Sequence, residues 1–127
     1  MPLSPRRAVW LIAAGRMVLG AAVLAAPEQV VGRWLGEENA KHGAVQDLAR
    51  GLAARDIALG LATLQTLGDN VVGPRIQAAC AVADAVDAVA TIVAREHLPR
   101  KGVIGTVAIA GAAAVAGFYY SHKLAHA

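Results

Sequence analysis

The sequence contains very few aromatic side chains and a single cysteine. Only 4% of its 127 residues are Phe, Trp or Tyr, and the one cysteine is Cys80. A single cysteine cannot form an intramolecular disulfide, which excludes a disulfide-rich secreted domain. The alternation of apolar and polar residues that is typical of strands is also missing, as are nucleotide-binding loops, nucleophile elbows and zinc motifs. The sequence therefore offers no motif for the enzyme classes that these patterns identify.

Charged residues are scarce, and the basic ones are dispersed. They make up 17% of the chain against 57% apolar residues, with a formal net charge of +3. No run of more than two basic residues occurs, and no aromatic residues interleave with them. We interpret them as anchors at the ends of membrane helices and expect no nucleic-acid partner. No cofactor is predicted, and no metal site either, because all four histidines fall in connections or tails.

Four apolar segments of about 18–23 residues dominate the chain. They run from Ala8 to Ala26, from about Val45 to Leu67, from Ile76 to Ala94 and from Val103 to Tyr120. Each is long enough, at about 1.5 Å per residue, to cross a hydrocarbon layer of about 30 Å. The alternative is a soluble four-helix bundle, but the fourth segment lacks the charged outer face that such a bundle needs. The sequence therefore predicts an all-α integral membrane four-helix bundle, in which residues 1–127 form one four-span domain of a multi-pass cell-membrane protein.

Two parts of the chain allow alternative interpretations. Residues 27–43, PEQVVGRWLGEENAKHG, place four apolar side chains at helical spacing: Val30, Val31, Trp34 and Leu35. This spacing is typical of a short helix on the membrane surface, and an irregular polar loop is the alternative. The basic start of the first segment resembles a signal peptide, but Arg16 interrupts the apolar stretch, so we expect it to remain as a span. Basic residues divide almost evenly between the two sides, so no orientation is predicted.

One polar stripe runs along the third segment. Its members recur at spacings of three and four residues: Gln77, Cys80, Asp84, Asp87 and Thr91. This is the spacing of a single helix face, and the rest of the segment is small and apolar. The stripe must therefore face protein or water rather than lipid tails. We expect Gln77 and Thr91 to form hydrogen bonds between helices, and Cys80 to act as a small packing residue.

Five charged residues lie near the centres of three segments. Arg16 belongs to the first, Arg55 and Asp56 to the second, and Asp84 and Asp87 to the third. A charge at the centre of a membrane helix costs about 2.5–3.5 kcal/mol, so five facing lipid would cost more than about 12 kcal/mol. We therefore expect the two arginines to form ion pairs with the three aspartates.

This expected cluster has two cations and three anions. Either Arg50, almost a turn and a half earlier, also reaches the cluster, or one carboxyl group holds a proton at neutral pH. The ion pairs could serve only to fix the register of alanine-rich helices, or they could form a functional site. Small residues such as Ala113 and Gly117 are expected to allow close helix packing rather than to line a cavity.

Two classes of function follow. The first is a binding, accessory or scaffold protein for a lipophilic small molecule, for a partner membrane protein or for a second copy of the chain. The second is a membrane-embedded enzyme of isomerase, cyclase or epoxide-opening type, with candidate catalytic residues Asp84, Asp87, Asp56, Arg55 and Arg16. There one of Asp84 and Asp87 is a protonated general acid and the other an ionised stabiliser, while Arg55 or Arg16 orients the substrate. A proton or ion pathway is a third possibility. A cavity that reaches the acidic stripe would favour an enzyme, and a filled core would favour the structural role.

The order of these motifs resembles that of a known family. The first segment contains GRMVLGAAVLAAP, the second contains RGLAARDIALGLATL, and the two aspartates follow on the third. In this arrangement the chain resembles the DUF4267-type proteins, which are small bacterial four-helix membrane proteins. The resemblance implies a four-span architecture and no particular activity.

Overall fold

The computed structural model describes residues 2–127, and every regular element in that range is helical. In chain order these are α1 (Pro5–Ala25), α2 (Pro27–Leu35), α3 (Glu37–Ala40), α4 (Gly43–Thr66), α5 (Val72–Val93), a 3-10 turn (Arg95–His97) and α6 (Arg100–Ala125). The all-α class is confirmed. The four apolar segments lie in α1, α4, α5 and α6.

Local sequence explains where several helices begin. The Ser4 side chain accepts a hydrogen bond from the Arg7 amide at 3.3 Å, which caps α1. Pro27 occupies the first position of α2, where its missing N–H costs nothing. Before α5, Asp69 Oδ1 accepts the amides of Val71 and Val72, both at 2.8 Å.

The long helices associate in two antiparallel pairs, α1 with α4 and α5 with α6. Gly20 of α1 lies so close to α4 that a Cβ atom there would be 2.8 Å from the Ala53 carbonyl oxygen. In the other pair, a Cβ on Gly117 would be 2.8 Å from the Ala81 Cβ. The expectation that Gly117 allows close packing is confirmed.

The four long helices expose many large apolar side chains and bury several polar ones. Val18, Val93 and Val115 are 70%, 75% and 72% exposed, whereas Gln77 and Asp84 are 2% and 8% exposed. In water-soluble proteins charged and amide side chains are mostly exposed and large aliphatic ones are the most often buried. The arrangement fits a molecule whose outer surface contacts lipid.

Three helices are long and apolar enough to cross a membrane: α1, α5 and α6. The helix α4 has 24 residues, but it carries four charged side chains and is not one of the three. These are Asp47, Arg50, Arg55 and Asp56. Membrane-spanning length and composition are therefore confirmed for three segments, and the fourth span stays a prediction.

The segment after α1 is helical, so the irregular-loop alternative is wrong for residues 27–35. Its apolar side packs on protein. Val31 is 2% exposed and forms a small core with Ala40 and Ala49, and Trp34 Nε1 donates to Thr91 Oγ1 at 3.3 Å. We expected the apolar side of this helix to contact the membrane surface. The sequence could not distinguish the two environments, because apolar side chains suit lipid and neighbouring helices equally well.

Candidate functional site

Arg16 lies between two carboxyl groups from different helices. Its Nη1 is 3.1 Å from Asp56 Oδ1 on α4, and its Nη2 is 2.5 Å from Asp84 Oδ2 on α5. The Arg16 side chain is only 8% exposed. Because Nη1 and Nη2 are bonded to the same carbon, the carboxyl groups of Asp56 and Asp84 lie side by side. One guanidinium therefore connects three helices.

Arg55 contacts the third carboxyl group, that of Asp87, and shares Asp56 with Arg16. Its Nη1 and Nη2 donate to the two oxygens of Asp87, at 3.3 and 2.8 Å, in the fork geometry that suits a guanidinium and a carboxylate. Nη2 is also 3.2 Å from Asp56 Oδ1. Asp56 Oδ1 thus accepts from both arginines and connects the two ion pairs. We call these five residues, Arg16, Arg55, Asp56, Asp84 and Asp87, the central cluster.

The central cluster has one more carboxylate than guanidinium. Arg50 is exposed on α4 and forms no ion pair within residues 2–127, so the expectation that it reaches the cluster is wrong. The alternative, that one carboxyl group holds a proton at neutral pH, stays a prediction. Asp84 Oδ1 and Asp56 Oδ2 accept no hydrogen bond from the described part of the chain. Two carboxylate oxygens therefore have capacity for a further donor.

A cavity of about 680 Å³ lies beside the central cluster, whose five members all line it. Most of the remaining wall is apolar and comes from α1, α2, α4 and α6, with Leu19, Val30, Leu52 and Ile109 among the residues. Small-molecule sites have volumes of about 300–1,000 Å³ and apolar walls with a few polar groups. In size and lining the cavity is of that kind.

Glycine and alanine create part of this space. Gly15 and Gly105 line the cavity, and a Cβ at either position would meet no other atom within 4 Å. Ala113 also lines the cavity, so the expectation that it serves helix packing is wrong. Ala113 and Gly117 are four residues apart and lie on the same side of α6, and Gly117 contacts α5 at close range.

One end of the cavity is formed by α2 and the start of α6, where Arg33 and Lys101 line it. Gly102 allows this junction, because a Cβ there would overlap the Trp34 carbonyl oxygen. Trp34 itself is half-buried and lines the cavity. None of these residues is predicted from the sequence to belong to a site. The sequence feature that indicates close packing of the start of α6 on another helix is Gly102.

The rest of the polar stripe lies outside the cavity. Cys80 is buried, with Sγ 3.5 Å from Thr63 Oγ1 on α4. Gln77 is buried near Gly117 of α6. Thr91 donates to the Asp87 carbonyl oxygen at 2.8 Å and accepts from Trp34. These residues pack and connect helices, while Asp84 and Asp87 face the cavity.

Within residues 2–127, no group of three or more His, Cys, Asp or Glu side chains is placed to hold a metal ion. Comparisons with known proteins found no family model, no curated protein and no solved structure that matches the chain. The resemblance to the DUF4267-type proteins stays a prediction.

Proposed function

We propose that the chain is a multi-pass protein of the cell membrane whose four long helices form a bundle around a binding site for a lipophilic small molecule. The apolar composition of α1, α5 and α6 supports the membrane location. The inward position of the charges supports it too, because a charge at the centre of a span is expensive unless it is paired inside the protein.

The observation that carries the binding function is the cavity beside the central cluster. Ion pairs that only hold helices together need no space next to them, since a filled core would shield them better. Here the cluster lies in the wall of a mostly apolar cavity, where it can orient a ligand that has one polar end. The helices around it are continuous, so the polar groups are held on rigid elements.

The membrane enzyme is a second candidate, and the same cavity favours it. Asp84 and Asp56 each have one oxygen without a hydrogen bond beside the space where a substrate would lie. A carboxyl group in that position can transfer a proton to or from a bound molecule, with Arg16 holding its orientation. Binding precedes catalysis in this case, so the same first experiment applies to both.

The binding function is tested with a dodecanol that carries a terminal bromine, which quenches tryptophan at short range. A Trp10→Phe background leaves Trp34, which lines the cavity, as the single tryptophan. Gly105→Leu places a side chain inside the cavity, and we expect it to weaken binding at least about tenfold.

Gly111→Leu is the matched control. Gly111 lies on the same helix and does not line the cavity, and a Cβ atom added there would also meet no other atom within 4 Å. We expect this variant to bind the probe like the parent. Equal quenching curves for the parent and Gly105→Leu would mean that the probe is not in this cavity, and the proposed function would be wrong.

A further inference from the structure

The charge of the central cluster says what kind of ligand would suit it. Three carboxyl groups face two guanidinium groups there, so the cluster carries one excess negative charge when all three are ionised. Arg33 and Lys101 also line the cavity, but they lie at its other end. Ala81 opposes Gly117 in the antiparallel α5–α6 pair, so Asp84 is level with residues 113–114 of α6. Lys101 is therefore about 18 Å away along that helix. The distant cations do not neutralise the cluster.

The excess negative charge lies near the two carboxyl oxygens that accept no hydrogen bond within residues 2–127. Asp84 Oδ1 and Asp56 Oδ2 belong to carboxyl groups that one guanidinium holds side by side, and both residues line the cavity. The side chains of Asp84 and Asp56 are 11% and 19% exposed. Neither oxygen is fully buried, so both are open to the cavity, and a ligand that supplies positively charged donors there would form charge-assisted hydrogen bonds with them.

Resting on the proposed binding function, we propose that the ligand is a lipophilic primary amine in its ammonium form. An ammonium group has three donors and one positive charge. It would donate to Asp84 Oδ1 and Asp56 Oδ2 and balance the charge of the central cluster. Its apolar chain would lie along α1 and α6, against Leu19 and Ile109, toward the end where Arg33 and Lys101 are exposed.

Other head groups fit less well. A hydroxyl group has one donor and no charge, so it would satisfy one oxygen and leave the excess charge in place. A carboxylate would bring a fourth negative charge beside the existing three, which is unfavourable in a cavity of low polarity. The arrangement therefore predicts that affinity for the cavity decreases from amine to alcohol to carboxylate.

The test uses bromine-terminated dodecylamine and bromine-terminated dodecanol in the Trp10→Phe background. The two probes partition differently into detergent, so the readout for each is the ratio of its affinities for the parent and for Asp84→Asn. We expect Asp84→Asn to weaken amine binding at least about tenfold and alcohol binding less than about threefold. Asp47→Asn is the control, because Asp47 is exposed on α4 and does not line the cavity.

Two outcomes separate this inference from the function on which it rests. If both probes still bind Asp84→Asn and the substitution weakens them by the same factor, the amine inference is wrong and the binding function stands. If neither probe quenches Trp34 in the parent, the binding function fails and the amine inference fails with it.

If the cavity collapses in Asp84→Asn, neither probe will bind this variant. The amine inference is then tested by competition experiments on the parent protein. Unbrominated dodecylamine should displace the brominated amine, whereas N-acetyl-dodecylamine, which has the same chain and no charge, should not. Equal displacement by the two competitors would overturn the proposal.

Discussion

Arg16 on α1 and Asp84 on α5 form an ion pair with a donor–acceptor distance of 2.5 Å, although 68 residues separate them in sequence. Since α1 packs mainly on α4 and α5 mainly on α6, this pair joins the two helix pairs. Arg55 and Asp87 join α4 to α5 in the same way. Charged groups beside the cavity therefore connect the two helix pairs, together with the Thr63–Cys80 contact between α4 and α5.

Loss of Arg16 should destabilise the fold more than loss of Arg55. Arg16→Gln would leave Asp56 and Asp84 without their shared cation, and breaking a buried pair in this way costs about 3–5 kcal/mol. The Arg55 side chain is 32% exposed against 8% for Arg16 and lines the cavity, so water that enters the cavity compensates more of its loss. The free energy of unfolding in detergent, measured for both variants, checks this order.

Arg50→Gln is the control for that comparison. Arg50 is exposed on α4 and belongs to no ion pair of the described residues, so we expect a change within about 0.5 kcal/mol. Equal losses for Arg16→Gln and Arg55→Gln would show that burial does not set the strength of these pairs.

Two glycines of α1 should respond in opposite directions to alanine. A Cβ on Gly20 would lie 2.8 Å from the Ala53 carbonyl oxygen and 2.9 Å from the Ile57 side chain, so Gly20→Ala must push α1 away from α4. Gly15 has open space around it, and Gly15→Ala should stabilise the helix by about 0.5–1 kcal/mol. Thermal unfolding of the two variants tests this, and a stabilising Gly20→Ala would contradict the close approach of the two helices.

The polar stripe of α5 could be predicted from sequence because a charged side chain on an apolar helix must face protein or water rather than lipid. The spacing from Gln77 to Thr91 indicated an inward face, and four of its five residues are buried, with Asp87 half-buried at the cavity. The pairing of each arginine with a particular aspartate could not be predicted. Nothing in the sequence distinguished Asp84 from Asp87 as the partner of Arg16, because the answer depends on the rotation of α1 relative to α5.

The cavity could not be predicted for a related reason. Alanine and glycine allow both close contact and open space, and only the position of the neighbouring helix decides between them. Gly20 and Gly117 contact another helix, whereas Gly15 and Gly105 leave room. The packing of α2 on protein was missed similarly, since Val31 suits a protein core and a lipid surface equally well.

The start of α5 should depend on pH through Asp69. The amides of Val72 and Val71 hydrogen-bond its carboxylate and lower its pKa below the usual value. A carboxylate with a lowered pKa stabilises the fold at pH above its unfolded pKa of about 3.9, and this contribution is lost as the pH falls through the folded pKa. The stability difference between the parent and Asp69→Ala should therefore be largest near neutral pH and shrink in acid.

Asp69→Asn separates capping from ionisation. Asparagine caps a helix about as well as aspartate but does not titrate, so this variant should lack the acid-dependent loss. Unfolding curves of the three proteins between neutral and acidic pH check the prediction. A difference between the parent and Asp69→Ala that is independent of pH would rule out the carboxylate as its source.

The outer face of α6 should not tolerate a charge near its middle. Val115 is 72% exposed, and in water Val115→Lys would change stability by less than about 0.5 kcal/mol. Inside a bilayer the same lysine costs about 2.5–3.5 kcal/mol. We therefore expect less of this variant to resist alkaline extraction from membranes, while Ala125→Lys at the exposed helix end behaves like the parent. Equal extraction of both variants would contradict lipid contact on this face.

Whether α4 crosses the membrane can be read from the side on which the α4–α5 connection lies. In a Cys80→Ala background, single cysteines at Ser4, Asn70 and Glu96 report through a maleimide that does not cross membranes. If α1, α4 and α5 all cross, Ser4→Cys and Asn70→Cys react from one side and Glu96→Cys from the other. If α4 stays on the far side after α1 has crossed, Asn70→Cys reacts opposite Ser4→Cys, and Glu96→Cys joins Ser4→Cys. We expect the first pattern, because the central cluster pairs Arg55 and Asp56, the two charges near the middle of α4, within the protein, whereas Asp47 and Arg50 lie in the first third of that helix.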